Sequence, residues 1–361
     1  EYYKVGSPAW GLTFSEPQPP VSLSPLEANT SYYFRVRAVN LADVQSALSN
    51  IVSTATLAVA LPGITATVYE TSSTISWQKL DSAVQAQRAE GYRLTLSLAE
   101  NMASTLANFS TPDNTQSSTT LSGLNPNTTH YYRVGTLNLN GAMNSDSIRS
   151  FTTLAVQPQG LQFIGAAGTQ TARLGWTALP AAPPAASALG YRLEASSSNF
   201  NGGTVLTTAT YNISNSTLTV ADLDPNTTYY FRVGTLNQAA APNYSTGLST
   251  ITLTTALTQG LQTVSAAQAS VSVSLNSPFP DSPQKNSCEG YLLLGSSTAF
   301  ASGSVVYSSA SYTNRTDSLT LGSLRPNTIY YMSMATLNWA RTPNFIDLTP
   351  VQTSMAGALV S

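Results

Sequence analysis

Along residues 229–235 the side chains alternate. Tyr229, Phe231, Val233 and Thr235 fall on one side of an extended chain, and Tyr230, Arg232 and Gly234 fall on the other. A period of two predicts a strand with one buried face. The pattern recurs four times, each time after a leucine and an Asn-Thr pair: Leu26…Asn29-Thr30, Leu124…Asn127-Thr128, Leu223…Asn226-Thr227 and Leu324…Asn327-Thr328. The leucines are 98, 99 and 101 residues apart. Two further strands keep step upstream. One is Ile75-Ser-Trp77, Leu174-Gly-Trp176 and Val273-Ser-Leu275; the other is Gly91-Tyr-Arg-Leu94, Gly190-Tyr-Arg-Leu193 and Gly290-Tyr-Leu-Leu293. Pro, Gly, Asn and Ser clusters separate them, and no segment has a helical period. A repeat this long means serial whole domains. Short strands at this spacing predict an all-β chain of tandem antiparallel β-sandwiches.

On these residues the chain resembles the fibronectin type III family, an immunoglobulin-like fold. The resemblance rests on the strand-B tryptophans Trp77 and Trp176, the strand-C tyrosines Tyr92, Tyr191 and Tyr291, and the Leu-x-Pro-x-Thr-x-Tyr corner entering strand F. It implies that the corner tyrosines Tyr32, Tyr229 and Tyr330 tie their hydroxyls back to nearby backbone. His130 replaces the tyrosine in the second domain, and Leu275 replaces the tryptophan in the fourth. The fold implies no function by itself.

The expected domains are residues 1–57, a partial repeat lacking strands A and B, then 58–155, 156–256 and a divergent 257–361. Tyr3-Lys-Val5 aligns with Tyr92-Arg-Leu94 in this reading. The first sandwich then needs strands from another segment, because Tyr32, Phe34, Val36 and Ala38 otherwise face water. Linkers are short, and Pro62 and Pro158 stiffen them. Such an array is expected to form a rod on the order of 100 Å long.

Composition narrows the role. Only 9% of residues are charged, and the net charge is −2. Ordinary soluble domains carry about 25% charged residues. No basic patch addresses nucleic acid, and no apolar stretch is long enough for a membrane span. Cys288 is the single cysteine and His130 the single histidine, so neither an internal disulfide nor a zinc site is available. The acidic residues Asp222, Asp224 and Asp281 are scattered. No phosphate loop, nucleophile elbow or paired-carboxylate motif appears. The chain reads as a non-enzyme with no catalytic, cofactor or metal residues.

Asn-x-Ser/Thr sequons occur at Asn29, Asn108, Asn127, Asn212, Asn215, Asn226, Asn243 and Asn314. Glycosylation is one reading of them; turn geometry, which asparagine also supplies, is the other. Tyr131, Arg133 and Arg93 in the second domain, and Tyr230, Arg232 and Arg192 in the third, share an outward face. That face either grips a sugar or partner by cation–π contact or is a solvated sheet with cross-strand pairs. In the fourth domain the corresponding strand-C positions become Leu292 and Leu294, and Ser333 replaces the strand-F arginine. Tyr331 is beside them, and the following loop adds Trp339 and Phe345. Leu292, Leu294, Tyr331, Trp339 and Phe345 are the expected interface; the alternative is that a loop or the apolar Ala356–Val360 tail covers the face.

The sequence therefore predicts a structural subunit of an extracellular filament, sheath or surface array. Its expected partners are other copies of itself or neighbouring surface proteins, and glycans are a further possibility. Two rivals stand: a cell-surface adhesin for a protein or glycan, and a spacer within a secreted polysaccharide-degrading enzyme.

Overall fold

The computed structural model describes residues 1–6, 10, 20–81 and 83–355. Among them the regular elements are strands and three 3₁₀ turns, Gln85–Gln87, Pro184–Ala186 and Gln284–Asn286. The chain divides into two compact units. One holds Glu1–Val156 with Ala182–Ala188 and Asn237–Ala241; the other holds Gln157–Ala181, Leu189–Leu236 and Pro242–Ser361.

In the second unit, the fourth repeat shows the sandwich in full. Gln262–Ala266, Val271–Leu275 and Ser318–Leu321 form a three-stranded sheet. Tyr307–Ser311, Gly290–Ser296, Ile329–Leu337 and Pro343–Gln352 form a four-stranded one. The third repeat pairs Gln159–Phe163, Ala172–Thr177 and Thr217–Val220 against a sheet centred on Gly190–Ser196 and the long strand Thr228–Leu236. All these ladders are antiparallel. The alternation seen in the sequence sets the core: Tyr229, Phe231, Val233 and Thr235 are buried, while Tyr230 and Arg232 are only partly covered. In the first unit, the second repeat repeats this plan around Ile75, Trp77, Tyr92, Leu94 and Val134.

Two tyrosine ties lock the third and fourth sandwiches, and one of the two is present in the first and in the second. Trp77 and Tyr92 pack with ring centroids 5.3 Å apart, and Trp176 and Tyr191 at 4.9 Å. Each strand-C tyrosine hydroxyl then accepts a backbone N–H from the preceding loop, Leu80 at 3.0 Å, Leu179 at 2.6 Å and Phe279 at 2.9 Å. In the fourth repeat Phe279, the loop residue in the place of Leu80 and Leu179, packs against Tyr291 at 6.5 Å, and Leu275 at the tryptophan position is buried. The corner tyrosines act as the resemblance implies: Tyr32, Tyr229 and Tyr330 accept the N–H of Glu27, Asp224 and Arg325 at 2.9–3.0 Å. His130 cannot reach that far. Its Nδ1 instead bonds Thr128 O at 3.0 Å, and its ring stacks on Phe151. Burial pushes its imidazole below the ordinary range, so it is neutral at pH 7.

The glycine that opens the central strand is required by crowding. A Cβ on Gly190 would lie 2.0 Å from Thr210 O on the neighbouring strand.

The first repeat corrects one expectation. Tyr2–Lys4 pairs with Ser31–Phe34 so that Tyr3 faces Tyr33, and in the second repeat Ser97 faces the equivalent Tyr131. Tyr3 thus matches Ser97, five residues beyond Tyr92. Its three-stranded sheet buries Tyr2 and Tyr32, yet Val36 stays 69% exposed, with no second sheet over it among the described residues.

Candidate functional site: asparagine clamps and sheet faces

The turn before each long strand places an asparagine in the left-handed region, with φ of 46°, 49°, 48° and 50° at Asn29, Asn127, Asn226 and Asn327. Asparagine tolerates that conformation better than most residues. Three of these asparagines do more. Asn226 donates its amide to the carbonyls of Gln284 at 3.4 Å and Ser287 at 3.2 Å, in the 3₁₀ turn of the following repeat. Its Oδ1 accepts the Trp339 N–H at 3.0 Å, and Gln284 Nε2 returns a bond to Asn226 O at 2.8 Å. Asn29 likewise donates to Arg88 O at 3.2 Å and to the Glu90 carboxylate at 3.0 Å, and accepts from Leu139 N–H at 2.9 Å. Within the first unit, Asn127 donates to Pro184 O and Ser187 O and accepts from Gln238 N–H. All three are at most 2% exposed.

A second asparagine, just past each long strand, reaches the other way. Asn338 Nδ2 donates to Ile251 O and Thr252 O, Asn138 to Ala55 O and Thr56 O, and Asn237 to Thr152 O and Thr153 O, at 3.0–3.5 Å. The Oδ1 of each closes its own hairpin loop; in Asn338 it accepts from Ala340 and Thr342. Each clamp therefore places amides from both sides in one buried knot with donors and acceptors matched. Removing one member strands the rest, at a cost of about 1–3 kcal/mol. Burial pushes the Glu90 carboxyl up, but hydrogen bonds from Asn29, Gln85 and Arg88 outweigh it and hold it below the ordinary range.

On the outward face of the third repeat, Arg232 lies over Phe200 and Tyr244, each ring centroid 3.9 Å from its guanidinium carbon. It forms an ion pair with Glu194 at 2.7 Å, and the Tyr244 hydroxyl donates to the same carboxylate. Burial and that carboxylate push the Tyr244 hydroxyl up to about 12, so it stays a donor at neutral pH. The stack uses Phe200 and Tyr244 rather than Tyr230. Its cation is already held by a carboxylate and two rings.

The fourth repeat replaces this with an apolar row. Register sets Leu292 opposite Ala335 and Ala310, and Ala335 opposite Phe345. Leu294, Ser333 and Asp347 form the next row, and Tyr331 sits opposite Ser296. Leu292 and Leu294 are half-buried, while Tyr331 and Phe345 are each 41% exposed. Three details differ from expectation. Phe345 belongs to the edge strand Pro343–Gln352 rather than to the loop. That strand brings exposed Asp347 onto the face, so a charge remains. Trp339 sits in the hairpin loop at the clamp, its N–H on Asn226. The Ala356–Val360 tail lies outside the described residues.

The family model of the fibronectin type III domain matches residues 156–251, the third repeat. The third repeat is a fibronectin type III domain. Its neighbours share its strand plan and tyrosine ties, so the chain is an array of tandem fibronectin type III-like sandwiches. Solved structures resembling it include the chicken CNTN1 FN1–FN3 domains, at 16% identity over 81% of this chain and 98% of that one, with a TM-score of 0.29. A two-domain fibronectin type III segment of chicken tenascin is 17% identical over 53% and 97%, with a TM-score of 0.28. No curated protein matches.

Within these fibronectin type III repeats the sequons separate by surroundings. At Asn29, Asn127 and Asn226 the nitrogen a glycan would take is donated inside a clamp. Asn243 is buried, and Asn314 donates to Asp281, Ser287 and Phe279. Asn108 and Asn212 are exposed, and Asn215 is half-buried. Cys288 is buried and free, and burial pushes its thiol up. Among the described residues no three His, Cys, Asp or Glu side chains gather as a metal site, and no helix is long and apolar enough to cross a membrane. Sequence reasoning missed the clamps, although the signal was present: Asn40, Asn138, Asn237 and Asn338 keep the same spacings of 98, 99 and 101 as the leucines.

Proposed function

We propose that this chain is a non-enzymatic structural subunit of an extracellular filament, sheath or surface array. The observation that carries the reading is the repeated clamp. A sandwich needs no buried, reciprocal amide knot at its ends to fold, but an array that must hold its repeats at fixed spacing does. The low charge supports close packing of copies, because little like-charge repulsion opposes it. The fourth repeat's Leu292 and Phe345, with Leu294 and Tyr331 beside them, supply the lateral contact between copies. The backbone N–H of Trp339 belongs to the neighbouring clamp. In a host that glycosylates secreted proteins, Asn108 and Asn212 are the sites that would carry glycans.

Negative-stain imaging of purified native material tests the reading. Ordered fibres or sheets are expected; single particles at high protein concentration would refute it. Changing Leu292 to Arg and Leu294 to Thr is expected to abolish lateral order while circular dichroism stays unchanged.

A further inference from the structure

Beside the Asn226 clamp, within the second unit, lies a recess of about 290 Å³. Two aromatic residues line it, Trp339 at 52% exposed and Tyr312 at 61%. The third repeat has Gln238 and Tyr211 at these two places, and the second has Leu139 and Pro112. Of these three repeats only the fourth sets a tryptophan with a tyrosine. The loop that carries Trp339 is held in place before any ligand arrives. Asn338 Oδ1 closes it, Asn226 Oδ1 accepts the Trp339 N–H at 3.0 Å, and Arg341 lays its guanidinium 4.3 Å over the Tyr312 ring. The polar wall offers acceptors. Glu289 is half-buried, and its carboxylate accepts no hydrogen bond and forms no ion pair among the described residues. Asp281 is held by Arg315 at 2.6 Å and by Asn314 at 2.8 Å. A carboxylate accepts about four bonds, so Asp281 has room for a ligand. The Trp339 indole N–H and the Tyr312 hydroxyl are likewise unbonded among the described residues.

We infer that this recess binds one neutral sugar ring of a glycan. A pyranose has an apolar face of C–H groups and a rim of hydroxyls. The face lies on the Trp339 indole and removes apolar area on both sides from water. The hydroxyls donate to Glu289 and Asp281 in charge-assisted bonds. Because the loop is already clamped, little ordering opposes binding. Charge favours a neutral ligand. Four charges border the recess, Asp281 and Glu289 against Arg315 and Arg341. They sum to zero, so neither an anion nor a cation is drawn in. Ligand pockets begin at about 300 Å³, so the recess takes one ring rather than a long segment. It includes no residue of the Leu292 face, and the site is independent of the assembly of copies.

Saturation-transfer-difference NMR of the full chain with cellotriose, mannotriose, galactotriose and chitotriose tests the site. At least one is expected to bind with a Kd on the order of 1 mM, with saturation strongest at the C–H protons of one ring face. Trp339→Gln installs the residue that the third repeat carries at this place and keeps the backbone N–H in the clamp. It is expected to weaken binding at least about tenfold. Glu289→Gln keeps the shape and removes the charge, and should weaken binding about fivefold. Leu292→Arg, outside the recess, should leave it unchanged. No saturation of any of the four sugars would overturn the proposal. So would equal binding by the Trp339→Gln chain, or tighter binding of a heparin-derived oligosaccharide than of the neutral ones. Native fibres without sugar binding would leave the filament reading standing, and sugar binding by chains that form no fibres would defeat that reading alone.

Discussion

The third and fourth repeats share one core and present opposite exteriors. Inward, the scheme is nearly superposable in kind: Tyr191 and Tyr291, Leu193 and Leu293, Val233 and Met334 are all buried to 0% exposure. Outward, the third repeat locks Arg232 between two rings and a carboxylate, whereas the fourth lays Leu292, Ala335 and Phe345 in a row. The inner face answers to packing, which tolerates little. The outer face answers only to water and partners, so that is where one repeat can be specialised without disturbing its fold.

The largest expected difference between them is in the core. Trp176→Ala should cost about 3–5 kcal/mol, enough to unfold its repeat. Leu275→Ala, at the equivalent place, should cost less, because removing a leucine leaves a smaller cavity than removing a tryptophan. Calorimetry of the full chain would show the loss of one transition for the tryptophan and a lowered transition for the leucine; equal losses would break the comparison.

A matched pair of glycine substitutions comes next. Asn226→Gly removes a filled clamp and should destabilise by about 1–3 kcal/mol. Asn327→Gly, where the side chain is exposed, should stay within about 0.5 kcal/mol. Both positions accept glycine at φ near 50°, so urea denaturation isolates the amide from the turn.

The faces themselves should differ by less. Arg232→Ala removes a partly exposed ion pair and its stacking, at about 1 kcal/mol. Leu292→Arg with Leu294→Thr should change stability by under about 0.5 kcal/mol, its effect appearing in light scattering instead.

The smallest effect is acid sensitivity. Glu90 has its carboxyl held below the ordinary value of 4.5. A depressed carboxyl stabilises above its unfolded value and loses that contribution as pH falls through the folded one. Glu289, the corresponding residue in the fourth repeat, makes no bond to Asn226. Between pH 5 and 3, the Asn29 clamp should therefore loosen before the Asn226 clamp in hydrogen exchange.

Much of the fold was legible because its causes are local. Period two marked the strands, and the leucine spacing marked the repeats. The clamps were hidden because the partners of the turn asparagine side chains lie 57–113 residues away, and Asn-Thr-Thr reads locally as a sequon or a turn. The fourth repeat's face was read two strands deep. Its edge strand, with Phe345 and Asp347, follows a loop whose length no alternation announces. The first strand slipped by five residues because Tyr-x-apolar fits either Tyr92 or the end of the same strand, and only pairing with Tyr33 decides.

The second, third and fourth repeats each carry a turn asparagine and a loop asparagine on either side of a single nine-residue strand, as Asn226 before Thr228–Leu236 and Asn237 after it. Plug and socket thus travel together in one short stretch of sequence. A whole repeat can be duplicated, deleted or exchanged with another, and the new neighbours still meet with complementary amides. Array length in this kind of protein is therefore free to change in steps of one repeat, by recombination alone, with no compensating mutation at the new boundary.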